Sequence, residues 1–437
     1  MAHLNLDKHL GRIGESQRLT VYGKVQEVVG LTIEATGPPA RIGELCYVES
    51  AEGDGRIPVE VVGFRGKRTL LMPLAHSRGI GPDSVLLTTG SPLQLRAGPQ
   101  LIGRVIGGLG NPIDELGPLP DGTAIDIMAP APQPMQRKRI VQPIATGVRA
   151  IDSCITCGKG QRIGVMAGSG VGKSKLMGMI ARNTNADVSV IALIGERGRE
   201  VRDFIEGDLG EKGRKRSVVI AATSDEPALV RIKGAYLATA VAEYFRGQGL
   251  DVMLMMDSVT RFAMAQREVG LAVGEPPTTK GYPPSVYSLL PQLLERAGTS
   301  AKGSVTGIYT VLVEADDMND PIADATRSIL DGHVVLSRDL ASRGHFPAID
   351  VLESISRVMI DVTPERHQNF AQGLRRVLAT HRDAQDLINI GAYVKGSNPD
   401  IDEAIRLAPR INGFLKQGLT DSSEFSKLEA QMEELLK

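Results

Sequence analysis

The spacing of apolar positions changes twice along this chain. From residue 18 to about 94 they fall in short Val- and Ile-rich runs: "LTVYGKVQEVVGLTIEATG", "GELCYVES" and "RIPVEVVGFRGKRTLLMPL". Turn formers such as Gly37-Pro38-Pro39 and Gly53-Asp54-Gly55 separate them. Runs of this length between such turns read as strands, and this many short strands predict a small β-barrel. "GRVIGGLGNPIDELGPLPDG" then reads as a turn-rich connector. From about 160 to 350, fully apolar strands alternate with helical stretches: "RIGVMA" and a helix from Lys173, "VSVIALIG" and "EVRDFIEGDLG", "SVVIAATS", "DVMLMMDS", "SVTGIYTVLVEA". That alternation predicts an α/β domain on a parallel sheet. Beyond about 363 the chain favours helix, and in "EFSKLEAQMEELLK" Phe425, Leu428, Met432 and Leu435 share one face, as a packed terminal helix requires. No fixed-period repeat is present. The expected organisation is a barrel over 1–94, an α/β domain over 95–362 and a helical domain over 363–437.

Composition narrows the function. The 437 residues carry 50 Lys and Arg against 51 Asp and Glu, so no global basic field is available for nucleic acid. Aromatics make up 4% and Trp is absent, which argues against stacking platforms for single strands. The start, "MAHLNLDKHLGRIGES", lacks the continuous apolar core of a signal peptide, and no apolar run reaches the ~20 residues that span a bilayer. A soluble, cytosolic protein is expected, able to dock on a membrane complex. Within that start, Leu4, Leu6, Leu10 and Ile13 either dock a regulator or a neighbouring subunit or belong to a frayed end. Cys154 and Cys157 form a C-x-x-C with no further ligands close in sequence; two small residues at a strand edge is the expectation, against a redox or metal pair.

The chemistry is concentrated in "RIGVMAGSGVGKSKL". An apolar strand runs into Gly168, Ser169, Gly170, Val171 and Gly172, and Lys173, Ser174 and Lys175 should open a helix. Glycines let successive N–H groups converge on phosphate at the positive end of a helix, with the Lys on the β- and γ-phosphates and the Ser hydroxyl on Mg²⁺. Ala167 stands where the usual pattern has Gly, which needs a negative φ there. In "VMLMMDSVTRF" an apolar strand delivers Asp257, which would hold Mg²⁺ directly or through water. In "IALIGERGREV" Glu196 sits just past a strand, either orienting an attacking water or forming a surface ion pair.

The set "AGSGVGKS", "IGERGREVRDFIEGDLG", "MMDSVTRFAMAQREVGLAVGEPPTTKGYPPS", "LLERAG" and "EADDMNDPIADATRSILDGHVVLSRDLASRGHFPAIDVLESISRVM" resembles the hexameric ATPases related to the catalytic subunit of rotary ATP synthase. Within them it resembles the type III export ATPases, and through "GEPPTTKGY" the flagellum-specific branch. Ala at the first loop position is characteristic of the type III export ATPases as a whole. The resemblance implies a central RecA-like P-loop ATPase domain, ATP and ADP as ligands with Mg²⁺, and a homo-hexamer. By motif it implies Glu196 as general base, Arg197 as a γ-phosphate contact, Arg261 as an active-site arginine beside it, and Arg357 in "SISRV" as a finger reaching a neighbouring subunit's nucleotide. Phe346 in "HFPAID" is implied to pack on adenine; Phe414 is a candidate for a second face. Implied partners are a flagellar export apparatus with a stalk-like protein, a regulatory subunit and chaperone–substrate complexes, at the periphery of a membrane export gate. "GAYVKGSNPDIDEAI" replaces the synthase's acidic C-terminal segment, so a stalk contact would be built differently.

Three other readings weigh less. A rotary synthase catalytic subunit would carry Gly rather than Ala167 and take its finger from another chain. A non-catalytic nucleotide-binding subunit would carry Gln in place of Glu196. An RNA-translocating hexamer would want a basic or aromatic N-terminal module. A virulence-type secretion ATPase is the nearest alternative to the flagellar one. The loop "VGEPPTTKGYPPS" is expected to face the central channel of a hexamer.

Overall fold

A computed structural model describes residues 21–50, 55–313 and 317–437. The described residues form two compact units, divided between Leu93 and Gln94. In the first, Tyr22–Val29, Thr32–Thr36, Glu44–Glu49, Arg56–Arg65, Arg68–Pro73 and Val85–Pro92 close into a six-stranded barrel in which every pairing is antiparallel. Alternate residues point inward, and Val25, Ile33, Cys46, Val48, Val59, Val61, Leu71 and Leu86 fill the centre. Outside, the Glu34 carboxylate is held by Arg65 at 2.6 Å and Arg68 at 2.8 Å. Leu4, Leu6, Leu10, Ile13 and most of the Gly53-Asp54-Gly55 turn lie outside the described residues.

The second unit is built on a large sheet. Its strands lie in the order Ile349–Ser356, Gly332–Leu336, Arg162–Ala167, Ser304–Leu312, Asp251–Asp257, Val188–Ile194, Ser217–Ala222 and Val105–Gly107. Along this order all neighbours run parallel except Ile349–Ser356, which is antiparallel to Gly332–Leu336; a short ninth strand, Gly298–Thr299, pairs antiparallel with Ser304–Leu312. Val188–Ile194 and Ser217–Ala222 are buried at every residue, which is why their sequences are continuous apolar runs.

The expectation of a mere connector at "GRVIGG" is corrected. Val105–Gly107 is an edge strand beside Ser217–Ala222, with Val105 and Ile106 buried. Three residues followed by glycines are too short to carry a strand signal. "EVRDFIEGDLG" is also not one regular helix. An α-helix Gly198–Asp203 passes into a widened turn, Phe204–Leu209, and a short helix, Gly210–Arg214. The widened turn brings Asp208 within 2.6 Å of the Lys175 ammonium.

The helices Glu365–Asn389, Pro399–Leu415 and Leu428–Leu435 close one side of this unit. Leu374, Val377, Leu407, Ile411, Leu428 and Met432 join the same core as the sheet's Val165, Ile191 and Leu193. The predicted terminal stripe holds: Leu428 and Met432 are fully buried, and Phe425 and Leu435 pack half-buried beside them.

Candidate nucleotide-binding site

In a parallel sheet, loops and helix N-termini gather past the carboxyl ends of the strands, where ligands bind. Four strand ends meet here: Ala167 pairs with Leu312, and Leu193 with Asp257. The loop after Ala167 turns on Gly170 (φ +79°) and Gly172 (φ +95°), left-handed conformations that suit glycine. Gly172 caps the helix Lys173–Asn183. Ala167 is not among the positive-φ residues, so its methyl group costs nothing there.

A cavity of about 860 Å³ opens above these ends. Gly168, Ser169, Gly170, Gly172, Lys173, Ser174, Lys175, Glu196, Arg197 and Arg261 all line it. The Lys173 ammonium lies 2.5 Å from Asp257 Oδ1 and 3.8 Å from Glu196 Oε1. Asp257 is buried, and the Thr310 hydroxyl donates to its Oδ1 at 2.8 Å. Burial, with the Asp257 charge added, pushes the Glu196 carboxyl up to about 7, against the pull of Lys173 and Arg261. The Glu196 side chain is 17% exposed and faces the cavity, so its ion pair with Lys173 lies inside the site and not on the open surface. Gly195 makes the approach possible. Its φ is +72°, and a Cβ there would lie 2.8 Å from Arg261 Cβ.

Two buried polar atoms in this wall, Glu196 Oε1 and Arg261 Nε, have no hydrogen-bond partner among the described residues. A carboxylate oxygen and a guanidinium N–H left unmatched in one cavity suit a polyanionic ligand and a polarised water. Ser174 and Asp257 supply the hard oxygen donors that Mg²⁺ prefers, so the residues fit that ion.

Other expected residues stand differently. The Arg197 guanidinium is turned onto Glu200 at 2.7 Å and is mostly exposed. Lys175 sends its ammonium to Asp208 while its stem lines the cavity wall. Val171 lines a second, apolar cavity of about 310 Å³ with Gly172, Lys175, Leu176, Met179 and Phe346. Phe346 is 46% exposed, so it is no core phenylalanine. Phe414 is corrected: it is buried in the core, does not line this cavity, and Arg149 lies over its ring at 5.6 Å. Arg357 is exposed on the turn after Ile349–Ser356, and it lines neither cavity. Cys154 ends the helix Arg149–Cys154 rather than lying at a strand edge, and Cys157 opens a two-residue strand. Both thiols are free and buried, and burial pushes both up. Among the described residues no group of His, Cys, Asp and Glu is arranged to hold a metal on its own.

Sequence reasoning missed Arg338, Glu200, Ser224 and Thr260 in the first cavity, and Gln417, Gly418 and Leu419 in the second. Arg338 starts a helix two residues after the strand Gly332–Leu336 and was findable by the strand-end rule. Residues 417–419 follow a distant helix and carry no motif.

Comparison with known proteins agrees with this geometry. The nucleotide-binding domain of the ATP synthase alpha/beta family matches residues 147–356, and the type III secretion EscN ATPase C-terminal domain matches 363–434. The "Flagellum-specific ATP synthase" of Bacillus subtilis (strain 168) is 56% identical over 400 residues, 91% of each chain. The "Type 3 secretion system ATPase" of Xanthomonas euvesicatoria is 50% identical over 94% of this chain and 92% of that one. Among solved structures, the assembled ATPase EscN of the enteropathogenic E. coli type III secretion system is similar with a TM-score of 0.90 and 46% identity, over 95% of this chain and all of that one. EscN in complex with its central stalk EscO matches with a TM-score of 0.88 and 45% identity, over 95% of this chain and 100% of that one.

Proposed function

The chain belongs to the flagellum-specific and type III secretion ATPases of the ATP synthase alpha/beta family, and from that premise we propose that it hydrolyses Mg²⁺-ATP as a homo-hexamer to energise or prime protein export. The observation that carries the proposal is the convergence of Lys173, Asp257, Glu196 and Arg261 past the carboxyl ends of one parallel sheet. The backbone N–H groups of Gly168–Gly172 and the Lys173 ammonium take the phosphate oxygens, and Phe346 packs on adenine. Ser174 and Asp257 would hold Mg²⁺, which when bound neutralises phosphate charge.

Glu196 is the general base. Burial and the Asp257 charge raise its carboxyl to about 7, so that near neutral pH it both exists as carboxylate and holds the proton it takes. It accepts the proton of the water that attacks the γ-phosphorus. Arg261 stabilises the charge that develops on the transferred group. Arg197 joins it by leaving Glu200 for the γ-phosphate. Arg357 stands outside its own chain's cavities, which suits a finger offered to a neighbouring subunit and worth about 10³–10⁵ in rate. The Pro-rich loop around Pro276-Pro277 faces the channel and touches a stalk-like protein.

The flagellar branch is favoured by "GEPPTTKGY" and by the 56% identity to a flagellum-specific relative; a virulence-type exporter is the alternative, and Ala167 speaks against a rotary synthase. Among the described residues no helix is long and apolar enough to cross a membrane. Attachment to the export gate would therefore run through partners: a regulatory subunit and chaperone–substrate complexes. The test is Mg²⁺-ATP hydrolysis by the purified chain as specific activity against protein concentration. A steep rise is expected, because assembly brings Arg357 to the neighbouring site. Bound ATP with no turnover at any concentration would transfer the missing group to another subunit.

A further inference from the structure

The apolar cavity beside the phosphate loop has a wall that no loop motif marks: Gln417, Gly418 and Leu419, which follow the helix Pro399–Leu415. Gln417 is buried, so an unpaired amide there would be costly. It is fully engaged instead. Its Nε2 donates to the Gly147 carbonyl at 2.8 Å and to the Asp421 carbonyl at 3.0 Å. Its Oε1 accepts from the Arg149 N–H at 2.9 Å. Its own backbone N–H donates to the Phe346 carbonyl at 2.9 Å. Both amide hydrogens are therefore spent, and none remains to read the edge of a base.

The turn that Gln417 grips is itself fixed. Asp152, fully buried, accepts from Thr146 N at 2.9 Å, Thr146 Oγ1 at 2.7 Å and Gly147 N at 2.9 Å. Gly147 has φ +74°, and a Cβ on it would lie 2.3 Å from Asn183 Cβ, at the end of the phosphate-loop helix. Gln417 thus joins three segments: the 146–149 turn under that helix, the Phe346 main chain, and the exit of the C-terminal helices.

We propose that Gln417 is a positioning residue for the nucleotide base. It holds the 417–419 wall and the Phe346 main chain at one spacing, so that Phe346 and Leu419 enclose the base by apolar contact. The proposal rests on the assignment of this cavity as the base site.

The experiment uses the full chain carrying Gln417→Ala or Gln417→Glu, with folding checked by thermal melting and steady-state kinetics run on ATP and GTP. Gln417→Glu keeps the acceptor toward Arg149 N–H and loses both donors. In both variants KM for ATP should rise about tenfold with kcat within about twofold, and the ATP-to-GTP preference should stay as in the parent chain. An unchanged KM, or a fall in kcat alone, overturns the proposal. So does an altered ATP-to-GTP preference, which would make the Gln417 amide a base-reading group. Failure of both variants to fold also overturns it, by making Gln417 a residue of the fold. If the parent chain itself hydrolyses no ATP, the assignment of hydrolysis fails first and this proposal falls with it.

Discussion

The behaviour of Glu196 follows from what surrounds it. Burial and Asp257 favour its neutral form, and Lys173 and Arg261 favour its charged form, with a balance near pH 7. The carboxylate is the active form of a base, and it is lost as pH falls through that value. The pH profile of kcat/KM, which reports the free enzyme, should therefore lose about tenfold per unit on its acid side below about pH 7. Glu196→Gln should keep ATP binding, lose about 10²–10⁴ in turnover and abolish that acid limb in any residual rate. Wild-type turnover in this variant would remove Glu196 from its role. Gly195 is a second point of control. An alanine there would have to hold φ +72°, a strain of roughly 1–2 kcal/mol, while its Cβ pressed on Arg261. Gly195→Ala should fold, as circular dichroism would report, and hydrolyse poorly; full activity would mean that Arg261 can move aside without consequence.

At the scale of elements, what was legible in the sequence was whatever depends on local pattern. Continuous apolar runs announced the parallel strands buried on both faces, and short Val- and Ile-rich runs between turn formers announced the barrel. The phosphate loop was legible because positive φ at Gly170 and Gly172 admits few other residues. The strand Val105–Gly107 was not, since its pairing with Ser217–Ala222 is non-local. The second wall of the base cavity was not either. Phe414 had the right chemistry but points into the core, whereas Gln417 and Leu419 have unremarkable chemistry and the right place. The terminal helix Leu428–Leu435 is the clearest case of pattern becoming packing, with Met432 fully buried against the shared core. Met432→Ala should cost about 2–5 kcal/mol in urea denaturation, through lost transfer energy and a residual cavity. A loss under about 0.5 kcal/mol would mean that this helix frays from the core.

For the whole molecule the decisive question is whether one chain completes a site. Lys173, Asp257, Glu196 and Arg261 come together within a single chain, and Arg357 does not join them. If Arg357 serves the next subunit, each site draws its base from one chain and its finger from another. Glu196→Gln then destroys a chain's own pocket but leaves it able to lend Arg357. Arg357→Ala does the reverse. Each variant alone should be nearly inactive. Mixed in equal amounts and allowed to reassemble, they should regain activity, because a pocket from an Arg357→Ala chain beside a Glu196→Gln neighbour has every group. Random neighbours make such pairs at about one site in four, so up to about a quarter of wild-type activity should return. No recovery in a mixture shown by size-exclusion chromatography to co-assemble would place Arg357 outside the reaction, whereas recovery without any oligomer would be incompatible with a shared site. Since Arg357 lines neither cavity of its own chain, recovery on assembly is the outcome its position favours.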